Sequence, residues 1–190
     1  MTVINYLTTI IFEHGALAKL PDEMAALGIE RPLIVTDQGI VAAGLLERLR
    51  AVLPDGASAA VFDGTPPNPT EAAVVAAVDV YKGSGCDGVV AFGGGSSIDL
   101  GKGVALLATH APPLEQYALI LGGVARITPA VAPVIAIPTT AGTGSEVGRG
   151  ALLTLDDGRK LGFISPGMLP QRAICDPELT MGLPPGLTAA

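Results

Sequence analysis

Gly88-Val-Val-Ala-Phe-Gly-Gly-Gly-Ser-Ser-Ile-Asp99 is the stretch on which the fold turns. An uncharged apolar run, Gly88–Phe92, reads as a strand buried on both faces. It passes through Gly93, Gly94 and Gly95 into an Ala- and Leu-rich pattern that predicts a helix over Ser97–Thr109. Ser96 is placed as its N-cap, and Asp99, three residues on, would complete a variant capping box. Three glycines let backbone approach a ligand closely, and a helix start aims unpaired N–H groups and a positive dipole end at it, which suits a pyrophosphate. Such turns also serve plain tight packing, so both uses stay open on these residues alone.

Counting excludes three familiar alternatives. A P-loop would need glycine five residues before Gly101 and Ser or Thr after Lys102, where Ser96 and Gly103 stand. A nucleophile elbow would need glycine two residues after Ser96, where Ile98 stands. The standard G-x-G-x-x-G spacing fails too, so a dinucleotide site here would be of a different kind.

Outward from this motif, further apolar strands are expected at Pro32–Thr36, Ala59–Phe62 and Val134–Ile137. Helices are expected at Ile40–Leu53 and Glu71–Lys82, with another at Ala16–Leu27 after an N-terminal strand. Strands alternating with helices predict an α/β, Rossmann-like parallel sheet with flanking helices. Beyond Thr139, Ala151–Leu155 and Arg159–Ser165 around Asp156-Asp157-Gly158 predict a β-hairpin. The Pro-rich tail after Pro166 is expected to pack along the domain without long elements, and Thr188 could cap a new helix starting near Gly182–Ala190.

Two more strand ends carry polar groups. Pro138-Thr-Thr-Ala-Gly-Thr-Gly-Ser-Glu-Val147 offers hydroxyls from Thr139, Thr140, Thr143 and Ser145 at the sheet's carboxyl edge, where open α/β sheets bind ligands; a plain Ser/Thr-rich turn is the alternative. Leu33-Ile-Val-Thr-Asp37 ends on an acid that could accept from an adenosine ribose and repel a 2′-phosphate, favouring NAD over NADP, or could simply cap the next helix. Lys102 and Lys160 are expected on solvated faces, and His14 and His110 at the surface or in ordinary hydrogen bonds.

The chain has 190 residues, 11 basic against 18 acidic side chains and a net charge of −7, which disfavours nucleic-acid and anionic-membrane surfaces. With 49% hydrophobic and 15% charged residues it can bury a substantial core. No apolar run approaches the roughly 18 residues that cross a bilayer, and the N-terminus does not read as a secretory signal, so a cytoplasmic protein is expected. Cys86 and Cys175 lack metal-finger spacing and are expected as buried thiols, and two histidines exclude a three-imidazole metal site within this chain.

Taken together, Phe62-Asp-Gly-Thr-Pro-Pro-Asn-Pro-Thr70, Phe92-Gly-Gly-Gly-Ser-Ser-Ile-Asp-Leu-Gly-Lys102, Ile137–Val147, Asp176-Pro-Glu-Leu-Thr180 and Leu183–Ala190 resemble, in order, the iron-containing (group III) alcohol dehydrogenase family. The resemblance implies a dehydroquinate-synthase-like architecture: an NAD(P)-binding α/β domain, residues 1–180, then a link at 181–190 into an all-helical metal domain. It implies that Gly94, Gly95 and Ser96 meet the pyrophosphate, and that Thr139, Thr140 and Thr143 line the phosphate and nicotinamide region. Asp37 would meet the adenosine ribose and Leu179 the adenine, while Asp99 and Lys160 would lie toward the cleft. Gly148-Arg149-Gly150 would border that cleft.

It also implies a divalent metal, iron or zinc, held by one Asp and three His beyond Ala190, so a truncated and inactive chain is expected, with no metal ligand of its own. Full-length relatives would be homo-oligomers acting on a small alcohol or carbonyl. A freestanding NAD-binding module without turnover, and the maleylacetate reductase or hydroxy-acid branches of the family, are the competing expectations.

Overall fold

The structure, a computed structural model, describes residues 2–5, 7–54 and 59–182. Within them the strands run β1 (Thr2–Asn5), β2 (Thr9–Phe12), β3 (Pro32–Val35), β4 (Ala60–Phe62), β5 (Gly88–Gly93), β6 (Val134–Pro138), β7 (Gly150–Thr154), β8 (Lys160–Ile164) and β9 (Arg172–Cys175). The helices are α1 (Leu20–Leu27), α2 (Gln38–Ala42), α3 (Leu45–Val52), α4 (Glu71–Gly83) and α5 (Gly95–Thr109), with short 3₁₀ turns between. Seven strands form one sheet in the order β1-β2-β9-β6-β5-β3-β4, parallel except for β1, while β7 and β8 pair separately as an antiparallel hairpin. The expected Thr188 cap lies outside the described residues.

Alternation along the strands builds two cores. Leu33, Val35, Val89, Ala91, Val134 and Ala136 face the layer that holds α4, α5 and the hairpin. Ile34, Val90, Phe92, Ile135, Ile137 and Ile174 face the layer of α1 and α3. Period-two side chains buried on both faces explain why these strands read as unbroken apolar runs.

Helix α5 is held on two sides at once. A Cβ on Gly101 would stand 2.7 Å from Ala91 Cβ of β5, and one on Gly103 would stand 2.9 Å from Leu153 of β7 and 3.0 Å from Val74 of α4. Only hydrogen side chains let the helix lie this close to both the sheet and the hairpin. Buried positions therefore run all round it, including Lys102 between the two glycines.

Several expectations are corrected. The single helix over Ile40–Leu53 is two, α2 and α3, because Gly44 takes φ 72° between them. Ala16–Leu27 begins as a 3₁₀ turn, and α1 starts at Leu20 with Pro21 in its first turn, where a missing N–H is harmless. Helix α5 starts at Gly94–Gly95, not at Ser96: no side chain caps it, Ser96 Oγ donates to the Pro67 carbonyl at 2.5 Å, and the Ser96–Asp99 capping box does not form.

The Pro-rich tail supplies an interior strand, β9, between β2 and β6. Its successor Asp176, 2% exposed, accepts from the backbone N–H groups of Gly15 (3.1 Å), Leu17 (3.1 Å) and Glu178 (3.0 Å). One carboxylate thus ties the N-terminal segment to the tail.

Two stability measurements follow. Asp176→Ala removes the acceptor of three backbone donors, that of Leu17 buried, and is expected to lower the unfolding free energy by about 3 kcal/mol in urea titration. Gly101→Val is expected to cost about 2 kcal/mol by overpacking against β5, whereas Gly83→Ala, whose Cβ would meet nothing within 4 Å, is expected to be neutral or stabilising in the same assay.

Candidate cofactor site

The chain runs from β3 out to the edge strand β4 and then crosses back to β5 on the far side of β3, so β3 and β5 flank a topological switch point. Ligands of open α/β sheets bind outside the carboxyl ends of such strands. A cavity of about 920 Å³ opens there, lined by Asp37 and Gln38 after β3, Thr65 to Pro67 after β4, Gly94 to Ser97 after β5, Thr139 and Thr140 after β6, and Leu179 after β9.

Glycines set the floor. Gly93 takes φ 147°, and a Cβ there would fall 2.6 Å from Ser97 Oγ and 3.1 Å from Asp37 Oδ2. Its absence lets Ser97 Oγ donate to Asp37 Oδ2 at 2.9 Å, while Asp37 Oδ1 caps α2 by accepting from Ile40 N–H at 3.1 Å. Asp37 therefore caps its helix and faces the cavity together. A Cβ on Gly94 would lie 3.4 Å from Thr140 Oγ1, and one on Gly95 would lie 3.2 Å from Thr143 Cβ. The threonine loop thus closes over the turn, held by Thr139 N–H donating to the Gly93 carbonyl at 3.0 Å. The first N–H groups of α5, which carries no side-chain cap, face this space as a helix start's orphan donors.

Asp37, Gly94, Gly95, Ser96, Thr139, Thr140 and Leu179 are brought together around the cavity, and Thr143 packs on its glycine turn. Asp99 and Lys160 do not line it. Lys160 is exposed on β8 and donates to Asn68 Oδ1 at 3.0 Å. Asp99 points into a cluster that sequence reading missed. Lys102, expected in solvent, is fully buried; its Nζ donates to Ser145 Oγ at 2.9 Å and the Gly150 carbonyl at 2.7 Å, and lies 3.6 Å from Asp99 Oδ1. Asp99 accepts from Ser145 Oγ at 2.5 Å and from Leu152 N–H at 3.0 Å. Burial lowers the Lys102 pKa, and the Asp99 carboxylate opposes that shift.

Thr65 was also missed. It sits 8% exposed in the cavity wall, and its hydroxyl finds no partner among the described residues. The only signal in the sequence was its place in Gly64-Thr65-Pro66-Pro67 directly after β4.

Among the described residues no three His, Cys, Asp or Glu side chains are grouped to hold a metal ion. His14 is exposed, and His110 Nε2 accepts from Thr128 N–H at 2.9 Å. The thiols are free and half-buried, not fully buried. Burial pushes Cys175 up to about 11 and raises Cys86 as well. A raised thiol pKa favours the fold while the thiol is neutral. This contribution is complete below the ordinary thiol range and is lost as pH rises through about 11. At pH 9 native Cys175 is therefore expected to react with iodoacetamide about tenfold or more slowly than in the urea-unfolded chain, as followed by mass spectrometry.

Comparison with known proteins bears on the family and the fold. The family model for iron-containing alcohol dehydrogenase matches residues 8–177. A 4-hydroxybutyrate dehydrogenase of Cupriavidus necator is 60% identical over 190 residues, covering 100% of this chain and 50% of that protein. Among solved structures, a 1,3-propanediol oxidoreductase superposes with a TM-score of 0.89 at 36% identity, covering 98% of this chain and 48% of that one. A sulfoacetaldehyde reductase from Bifidobacterium kashiwanohense, solved in complex with NAD+, gives 0.88 at 36% identity, covering 97% and 48%. The chain spans about half the length of the curated relatives it matches. Sequence model, identity and fold agree: this chain belongs to the iron-containing alcohol dehydrogenase family.

Proposed function

We propose that the chain is the NAD(P)-binding half of a dehydrogenase that interconverts an alcohol with an aldehyde or ketone by hydride transfer. The observation that carries this is the uncapped start of α5 behind Gly93–Gly95, opening into the cavity at the switch point. A pyrophosphate there would accept from the first N–H groups of α5, and Thr140 and Thr143 would close over it. Asp37 would accept from the adenosine ribose hydroxyls while Ser97 holds its other oxygen, and Leu179 would pack against the adenine. NAD, when bound, supplies the hydride acceptor. The chain's own work is to bind and orient it.

Because the Asp37 carboxylate would repel a 2′-phosphate, NAD is preferred over NADP. The described residues do not fit a metal ion. The 60% identity to a 4-hydroxybutyrate dehydrogenase supports a hydroxy-carboxylate as the alcohol. Division at residue 180 into a cofactor domain and a link, and assembly into a homo-oligomer, belong to the same proposal.

Titration calorimetry tests the cofactor assignment. The chain is expected to bind NAD+ more tightly than NADP+, and Asp37→Ser is expected to shift the ratio toward NADP+ by about tenfold, the worth of one lost charge repulsion of about 1.4 kcal/mol. An unchanged ratio would remove Asp37 from the ribose site. The full-length protein is expected to reduce NAD+ with 4-hydroxybutyrate, followed at 340 nm.

A further inference from the structure

We infer that Lys102 is a positioning residue for the nicotinamide half of the dinucleotide, acting through Ser145 and the β7 strand without touching the cofactor. The inference rests on the dinucleotide reading above.

The cavity has two sides with separate supports. Asp37 and Ser97 bond to each other and to α2, and Leu179 belongs to the core on the α3 face. The hairpin β7–β8 packs instead on α5, on the opposite face of the sheet. With the adenosine at Asp37 and the pyrophosphate at Gly94–Gly95, the rest of the dinucleotide runs past Thr140 and Thr143 toward that hairpin.

What holds this second side is the Lys102 cluster. Its hydrogen bonds join three segments distant in sequence: α5 through Asp99 and Lys102, the threonine loop through Ser145, and β7 through the Gly150 carbonyl and Leu152 N–H. Ser145 N–H reaches back to Thr143 Oγ1 at 3.4 Å, and Thr143 packs on the Gly95 turn. A buried ammonium must find acceptors, and both hydrogen-bond acceptors of Lys102 lie on the segments that would face the nicotinamide. None of these bonds reaches Asp37, Ser97 or α2, so the adenosine side keeps its own supports when the cluster is cut. Lys102 is thus a cationic bolt for one half of the site only.

Affinities for NAD+ and for AMP, which carries the adenosine and stops short of the pyrophosphate turn on which Thr143 packs, separate the halves. In calorimetric titrations of the chain, Lys102→Met is expected to weaken NAD+ binding about tenfold, the loss of one charge-assisted hydrogen bond's worth of order, and to leave AMP within about twofold. Ser145→Ala is expected to do the same, and the double variant to be no weaker than the worse single by more than about twofold, as members of one cluster behave. If Lys102→Met does not fold, by circular dichroism, Ser145→Ala decides.

NAD+ binding unchanged in the folded variants would overturn the inference. So would AMP affinity falling in parallel with that for NAD+, since a general loss of structure strikes both ligands. A wild-type chain that binds neither ligand would instead overturn the dinucleotide assignment beneath it.

Discussion

The close seating of α5 is the constraint on which the rest of the structure depends. Gly101 lets it lie against Ala91 of β5, and Gly103 lets the hairpin and α4 close over its other side. The glycine turn, Asp37 and the hairpin side of the candidate site are all tied to this one helix. Its start meets the cavity, its first turn holds Asp37 through Ser97, and its second turn carries Asp99 and Lys102 into the hairpin cluster. A side chain at either glycine would push the helix outward and move the uncapped N–H groups away from the sheet edge.

A helix buried all round ordinarily carries only apolar side chains, since an unpaired ammonium in that position is strongly unfavourable. Lys102 is tolerated because two oxygen acceptors lie within hydrogen-bond distance and one carboxylate stands near. The cluster ties α5, the threonine loop and β7 to one another through a single set of charge-assisted bonds. Asp176 works by the same rule at the other end of the sheet, where one buried carboxylate answers three backbone donors from the two ends of the described chain. The polar interior of this domain is therefore small and placed where segments far apart in sequence must be held in register.

Short Val- and Ile-rich runs bounded by turn residues made the parallel strands β3 to β6 legible, and longer Ala- and Leu-rich patterns the helices α4 and α5, each to within a residue or two. The hairpin was legible from Asp157-Gly158, where Gly158 takes φ 87°. Strand β9 was not, since four residues among prolines carry too little periodicity to distinguish an interior strand from a packed tail. Its place between β2 and β6 is earned by Ala173 and Ile174 filling the sheet's two faces, a long-range fact.

The sequence by itself determined the fold class and the loops that face the cavity, because glycine runs, strand-end hydroxyls and apolar runs are local features whose physical meaning does not depend on what lies across the molecule; the family followed from the resemblance of its ordered motifs. Only the tertiary structure decided which polar residues face the ligand and which face each other. Lys102 and Lys160 look alike in the sequence, yet one is sealed between sheet and hairpin and the other is exposed beside Asn68. Asp99 turns from the helix start to Ser145 and Leu152, a choice set by acceptors and donors that arrive from about fifty residues away. Burial and partnership are properties of the packed chain, and the packing is what assigns them.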